Sequence, residues 1–159
     1  MEKPLIVVGI DDNDHSFYAL NWTLQHLFSS GSENSAFKIV LVHAKPFAVD
    51  VVRLAGPATA EMLSIVAKNL EVVASTVMER AENLCKAKSV NDAIFEVIEG
   101  NSRSVLCEAV EKHHASMLIV GSHGYGVLKR VVLGSVSDYC AHHAHCPVMI
   151  VKMPPKIKV

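Results

Sequence analysis

Five short, mostly apolar runs constrain this chain more than any other feature. They lie at Leu5–Ile10, Phe37–Ala44, Ala93–Glu99, Ser116–Val120 and Pro147–Lys152. A strand with one wet face alternates apolar and polar residues. A continuous run such as Leu5-Ile6-Val7-Val8-Gly9-Ile10 calls for cover on both faces, as in a parallel sheet. The third run alternates more, which suits a position nearer a sheet edge. Helical spacing fills the gaps: Phe17, Leu20, Leu24, Leu27 and Phe28; then Met62, Val66, Leu70, Val73, Val77, Ala81 and Leu84 between Thr59 and Lys88; then Val105, Leu106, Ala109 and Val110. Asn101 or Ser102 can cap the third of these, and Ser135–His143 supplies a last helix. Asp11-Asp12-Asn13-Asp14 offers turn and cap chemistry after the first run. Residues 45–58, with Pro46, Gly56 and Pro57, read as a long irregular connection. Strands alternating with helices predict βαβ units with right-handed crossovers. The expected class is α/β, an open doubly wound five-stranded parallel sheet with helices on both faces.

Composition narrows the function classes. A length of 159 residues suits one domain, 1–159, with a mobile tail at 153–159. Half the residues are hydrophobic, 19% are charged and the net charge is -1. That balance speaks against disorder and against a nucleic-acid or membrane-surface partner. Aromatics at 6% provide few stacking platforms for exposed bases. Cys85, Cys107, Cys140 and Cys146 form no C-x-x-C pair, and no export signal opens the sequence, so reduced thiols and a cytoplasmic location are expected.

Four of the eight glycines fall at 121, 124, 126 and 134. The segment follows the fourth strand and opens the last helix. Glycines let backbone N–H groups approach an anion, and a helix N-terminus adds free donors and a favourable dipole. Lys129 and Arg130 sit between Gly126 and Gly134 and can balance phosphate charge. His123 lies in the same loop and is a candidate ligand contact. Neither the P-loop nor the G-x-G-x-x-G fingerprint is met. The residues alone therefore leave two readings open, a phosphate cradle or a β–α connection with turn glycines.

The spacing G-x2-G-x9-G-S at Gly121, Gly124, Gly134 and Ser135 resembles the ATP-binding type of the universal stress protein family. Val8-Gly9-Ile10-Asp11 followed by Asp14-His15-Ser16, the segment Val42-His43-Ala44, and the end Cys146-Pro147-Val148-Met149-Ile150-Val151 are similar to that family too. The likeness runs over about residues 4–152 and is nearest to small single-domain plant members. Asp12-Asn13 departs from the Gly-Ser of many relatives. The resemblance implies strand order 3-2-1-4-5, with ligand bound where strands 1 and 4 separate. It implies Asp11 beside the ribose or adenine, Ile10 and Ala44 packing the base, and Val120 and Gly121 near base and sugar. Gly124, Gly134, Ser135, Val136 and Ser137 would hold the phosphates. The implied ligand is ATP or AMP, with Mg2+ accompanying ATP. The implied role is a nucleotide-dependent sensor or interaction module of the stress response. Slow ATP hydrolysis and a nucleotide-stabilised, chaperone-like oligomer are the alternatives.

No general base, Walker-type Asp or metal-bearing acid pair stands out, so no catalytic residue is assigned. Ser135, Asp138 and His142 lack a G-x-S-x-G elbow. Cys140, His142, His143, His145 and Cys146 lack a familiar ligand spacing and read as a helix end, where His suits the dipole. His113-His114 read as a solvated helix end, and His43 as lining the sheet end. The fifth run is apolar and ends the regular structure, so it predicts an exposed edge strand. The family likeness implies a homodimer through residues 147–152, with Met149 and Val151 adding side-chain burial.

Overall fold

A computed structural model describes residues 2–57, 59–122 and 134–154. Strands β1 (Leu5–Gly9), β2 (Lys38–Lys45), β3 (Ile94–Glu99), β4 (Met117–Gly121) and β5 (Val148–Val151) form one parallel sheet in the order β3-β2-β1-β4-β5. Helices α1 (Asp14–Leu27), α2 (Ala48–Arg53), α3 (Ala60–Ala87), α4 (Ser102–Lys112) and α5 (Ser135–His143) connect and cover it. The expected fold class and strand order are both present.

Register explains the unbroken apolar runs. Val7 lies beside Val40 and Leu118, and all three join Val105, Leu106, Ala109 and Cys140 in the core under α4 and α5. Val8 lies beside Leu41 and Ile119, and these join Phe17, Leu20, Leu24, Val77 and Ala81 under α1 and α3. Successive residues of a strand thus feed opposite cores, so neither parity can be polar. Each such side chain contributes about 1.5–3 kcal/mol when fully buried. Edge strand β3 is covered only in part: Phe95 packs against one core and Ile98 against the other, and Val97 is 44% exposed.

Side chains mark three helix starts. Asn13 accepts from the Ser16 N–H at 2.9 Å for α1, Thr59 from Met62 at 3.1 Å for α3, and Asn101 from Arg103 at 2.9 Å for α4. Helix α3 is unevenly anchored. Its buried residues are Ala74, Val77, Ala81 and Cys85, all in the C-terminal half, whereas Ile65 and Val72 lie open.

Two expectations need correcting. The connection at 45–58 is not wholly irregular, because Ala48–Arg53 forms α2, which packs against α3 with Val52 as its buried anchor. The fifth strand is shorter than Pro147–Lys152, and Val151 is only 6% exposed within its own subunit. Val151 already belongs to the core under α1 and has little left to bury in a dimer.

Candidate functional site

The C-terminal ends of β1 and β4 separate where the sheet order reverses, and a cavity of about 290 Å³ opens there. One wall is apolar, made by Ile10, Val42, Ala44, Leu106 and Val120. The opposite side carries Gly134, Ser135, Val136 and Ser137 at the start of α5. Asp11, Asn13 and Ser16 stand between them at the end of β1 and the start of α1, and Ser102 adds the first residue of α4. Three helices thus begin at this opening, which follows from each having a strand end before it.

The start of α1 is tightly tied. The Asp11 N–H donates to Ser16 Oγ at 3.0 Å, and that hydroxyl donates back to the Asp11 carbonyl at 2.9 Å. Asn13 Nδ2 donates to the Asp11 carboxylate, while Asn13 Oδ1 holds the Ser16 N–H. Buried His43 donates from Nδ1 to the Ile10 carbonyl at 3.0 Å, tying the residue that follows β1 to β2. Burial pushes the Asp11 carboxyl above its ordinary range; the Ser16 hydrogen bond, the His43 charge and the Asn13 hydrogen bond oppose that rise without cancelling it.

The start of α5 differs. Its cap position is Gly134, with no side-chain acceptor. The Ser137 hydroxyl turns inward, within reach of the Ser122 carbonyl at 3.2 Å and the Gly134 carbonyl at 3.0 Å. What Ser137 offers the cavity is therefore its backbone N–H. The first N–H groups of a helix have no intrahelical acceptor, and the dipole concentrates about half a positive charge there.

Of the predicted site residues, the structure gathers Ile10, Asp11, Ala44, Val120, Gly121, Gly134, Ser135, Val136 and Ser137 around this one cavity. His123, Gly124, Lys129 and Arg130 lie outside the described residues. Gly121 has a further reason to be glycine. A Cβ there would come within 2.7 Å of the His15 carbonyl oxygen, so its absence lets the α1 backbone lie on β4. The sequence reading missed Gly9, Asn13, Ser16, Val42, Ser102 and Leu106 as cavity residues. Asn13 and Ser102 were visible only as cap chemistry, yet any helix start after a parallel strand faces this end of the sheet.

The His/Cys segment disperses. His142 and His143 donate to the carbonyls one turn earlier, Asp138 at 2.8 Å and Tyr139 at 2.9 Å, and His145 pairs with Glu111 at 2.6 Å. Among the described residues, no group of three His, Cys, Asp or Glu is placed to hold a metal. Burial pushes the Cys140 thiol up to about 12. His113 is a helix end, as expected, but it is half-buried and pairs with Glu96 rather than being solvated. No helix among the described residues is long and apolar enough to cross a membrane.

Fold and cleft together define a doubly wound α/β protein with a ligand-type crevice at its switch point. The chain belongs to the universal stress protein family, whose model matches residues 5–152. It is 31% identical over 141 residues to Universal stress protein A-like protein of Arabidopsis thaliana, covering 84% of this chain and 76% of that one. It is 29% identical over 163 residues to Universal stress protein PHOS32 of the same plant, covering 94% of this chain. The match spans 64% of the length of PHOS32, a little under two thirds. Among solved structures it resembles a universal stress protein family protein of Arabidopsis thaliana, At3g01520, crystallised with AMP bound. The TM-score is 0.69 at 24% identity, over 95% of this chain and 92% of that one.

Proposed function

We propose that the chain binds an adenine nucleotide, ATP or AMP, in the β1/β4 cleft and serves as a nucleotide-dependent sensor or interaction module of the stress response. The observation that carries this reading is the polarity of the cleft. An apolar wall from Ile10, Val42, Ala44 and Leu106 suits a purine face, and the open α5 start at Ser135–Ser137 suits phosphate. The AMP-bound relative supports the choice of nucleotide. The described residues supply no cage of metal ligands, so Mg2+ would ride on the phosphates of ATP. Lys129, Arg130, His123 and Gly124 complete the proposed phosphate side.

The same reading includes a homodimer through residues 147–152. Support comes from β5 being an edge strand, with Val148, Met149 and Ile150 only partly buried. Four free thiols are in keeping with a reducing, cytoplasmic setting.

Titration calorimetry on refolded, nucleotide-free protein tests the central claim. Saturable heat with AMP or ATP is expected, together with a raised melting temperature. No heat and no thermal shift with either nucleotide overturns it.

A further inference from the structure

We propose that Asn13 is the positioning residue that makes this site select ribose over deoxyribose. The inference rests on the adenine-nucleotide reading above and names what decides between sugars. The sheet order runs β2, β1, β4, with Ala44 on β2, Asp11 after β1 and the α5 start after β4. A nucleotide lying across these strands, base on the β2 wall and phosphate on α5, sets its sugar over Asp11.

An ionised carboxylate only accepts hydrogen bonds. It repels phosphate, and the donors an adenine nucleotide has are its sugar hydroxyls and the amine on its base. At the middle strand the hydroxyls are the group within reach. Asn13 holds the carboxylate there. Its Oδ1 accepts from the Ser16 N–H at 2.9 Å, which fixes the plane of the amide, and its Nδ2 then donates to Asp11 Oδ1. Two carboxylate oxygens offer about four acceptor sites, so sites remain for a sugar hydroxyl, and the carboxylate is oriented before the nucleotide arrives. The amide thus has two separable duties, capping α1 with its oxygen and aiming Asp11 with its nitrogen.

Serine caps a helix about as well as asparagine but carries no NH2. Asn13→Ser therefore keeps the first duty and removes the second, and Asn13→Thr does the same if the serine variant folds poorly. Calorimetry of the full chain with AMP, 2′-deoxy-AMP, 3′-deoxy-AMP and inosine monophosphate reads the outcome. The wild type is expected to prefer AMP over the weaker deoxy form by about tenfold or more, the size of one hydrogen bond to a charged group. In the variant that ratio falls to within about threefold, through weaker AMP binding rather than tighter deoxy binding. A purely structural role for Asn13 would weaken all four ligands alike and leave the ratio unmoved, which overturns the proposal. Equal wild-type affinity for AMP and both deoxy forms overturns it while the adenine-nucleotide reading stands. A change confined to the AMP-to-inosine ratio assigns Asp11 to the base and also overturns it. A wild type that binds none of the four removes both readings.

Discussion

Helices α1 and α5 both start at the cleft, each after a strand of the sheet's centre, yet their first turns are built in opposite ways. In α1, Asn13 satisfies the Ser16 N–H, and Ser16 satisfies the Asp11 N–H. In α5, the cap is a glycine and Ser137 spends its hydroxyl on Ser122 and Gly134. The first helix start has its Ser16 N–H taken by its own cap residue and presents an anchored carboxylate. The second leaves its donors toward the cavity. Helix starts at a switch point are thus not equivalent anion sites; local side chains decide which one is available to a ligand.

The largest effect should come from breaking the seat of α1. In Gly121→Ala the new Cβ meets backbone atoms of His15 and Ser16, which cannot swing aside. We expect a loss of about 3 kcal/mol, the upper part of the range for overpacking, measured by urea unfolding. An unchanged midpoint would mean that α1 can lift from β4 at little cost. The next effect separates the two helix starts. Ser135 is the first residue of α5, where proline is tolerated because its missing N–H has no helical partner. Ser135→Pro should leave stability nearly unchanged and weaken nucleotide by about 2 kcal/mol, roughly thirtyfold. Ser135→Ala, which keeps the N–H, should weaken it less. Equal losses in the two variants would shift the credit from backbone to hydroxyl.

The smallest effect concerns the anchored carboxylate. Because the folded Asp11 pKa is raised above 3.8, the folded state holds its proton longer than the unfolded chain. Stability from this group therefore falls as pH rises from the unfolded value through the folded one, and stays lower above it. Asp11→Asn should remove that cost and stabilise the nucleotide-free protein at neutral pH by about 0.5 kcal/mol or less, discounted for the carboxyl's exposure. Its nucleotide affinity should drop at the same time. Glu96 has the opposite sign. Burial raises it, but Lys112 and His113 outweigh burial and hold it below 4.5. Its contribution is present above 4.5 and is lost as pH falls through the lower folded value. An acid-side unfolding series on Asp11→Asn and Glu96→Gln should show the two opposed slopes.

The sheet could be read from the sequence because its central strands feed two cores at once, which leaves no room for polar alternation at Ile6-Val7-Val8 or Leu118-Ile119-Val120. The cavity residues that were legible, such as Asp11, Gly134 and Ser135, carried either a strand-end position or a family spacing. Asn13 and Ser102 were legible only as helix punctuation, since a cap residue looks the same whether or not a cavity lies beside it. Leu106 was legible only as core, because its side chain serves both the core and the cavity wall. Helix α2 escaped notice because Ala48–Arg53 is six residues long and half of them are valine, a poor helix former. It forms because α3 gives Val52 somewhere to go.

Helix α3 is continuous in geometry but divided in how firmly it is held. At 28 residues it runs about 42 Å, and all its buried anchors lie beyond Val73. Its two halves should therefore keep different time. Amide protons between Ala60 and Val73 exchange with solvent through local fraying, while those around Ala74–Cys85 wait for the whole domain to open. A protease meeting the native fold would find its cut sites near Ile65 long before those near Ala81.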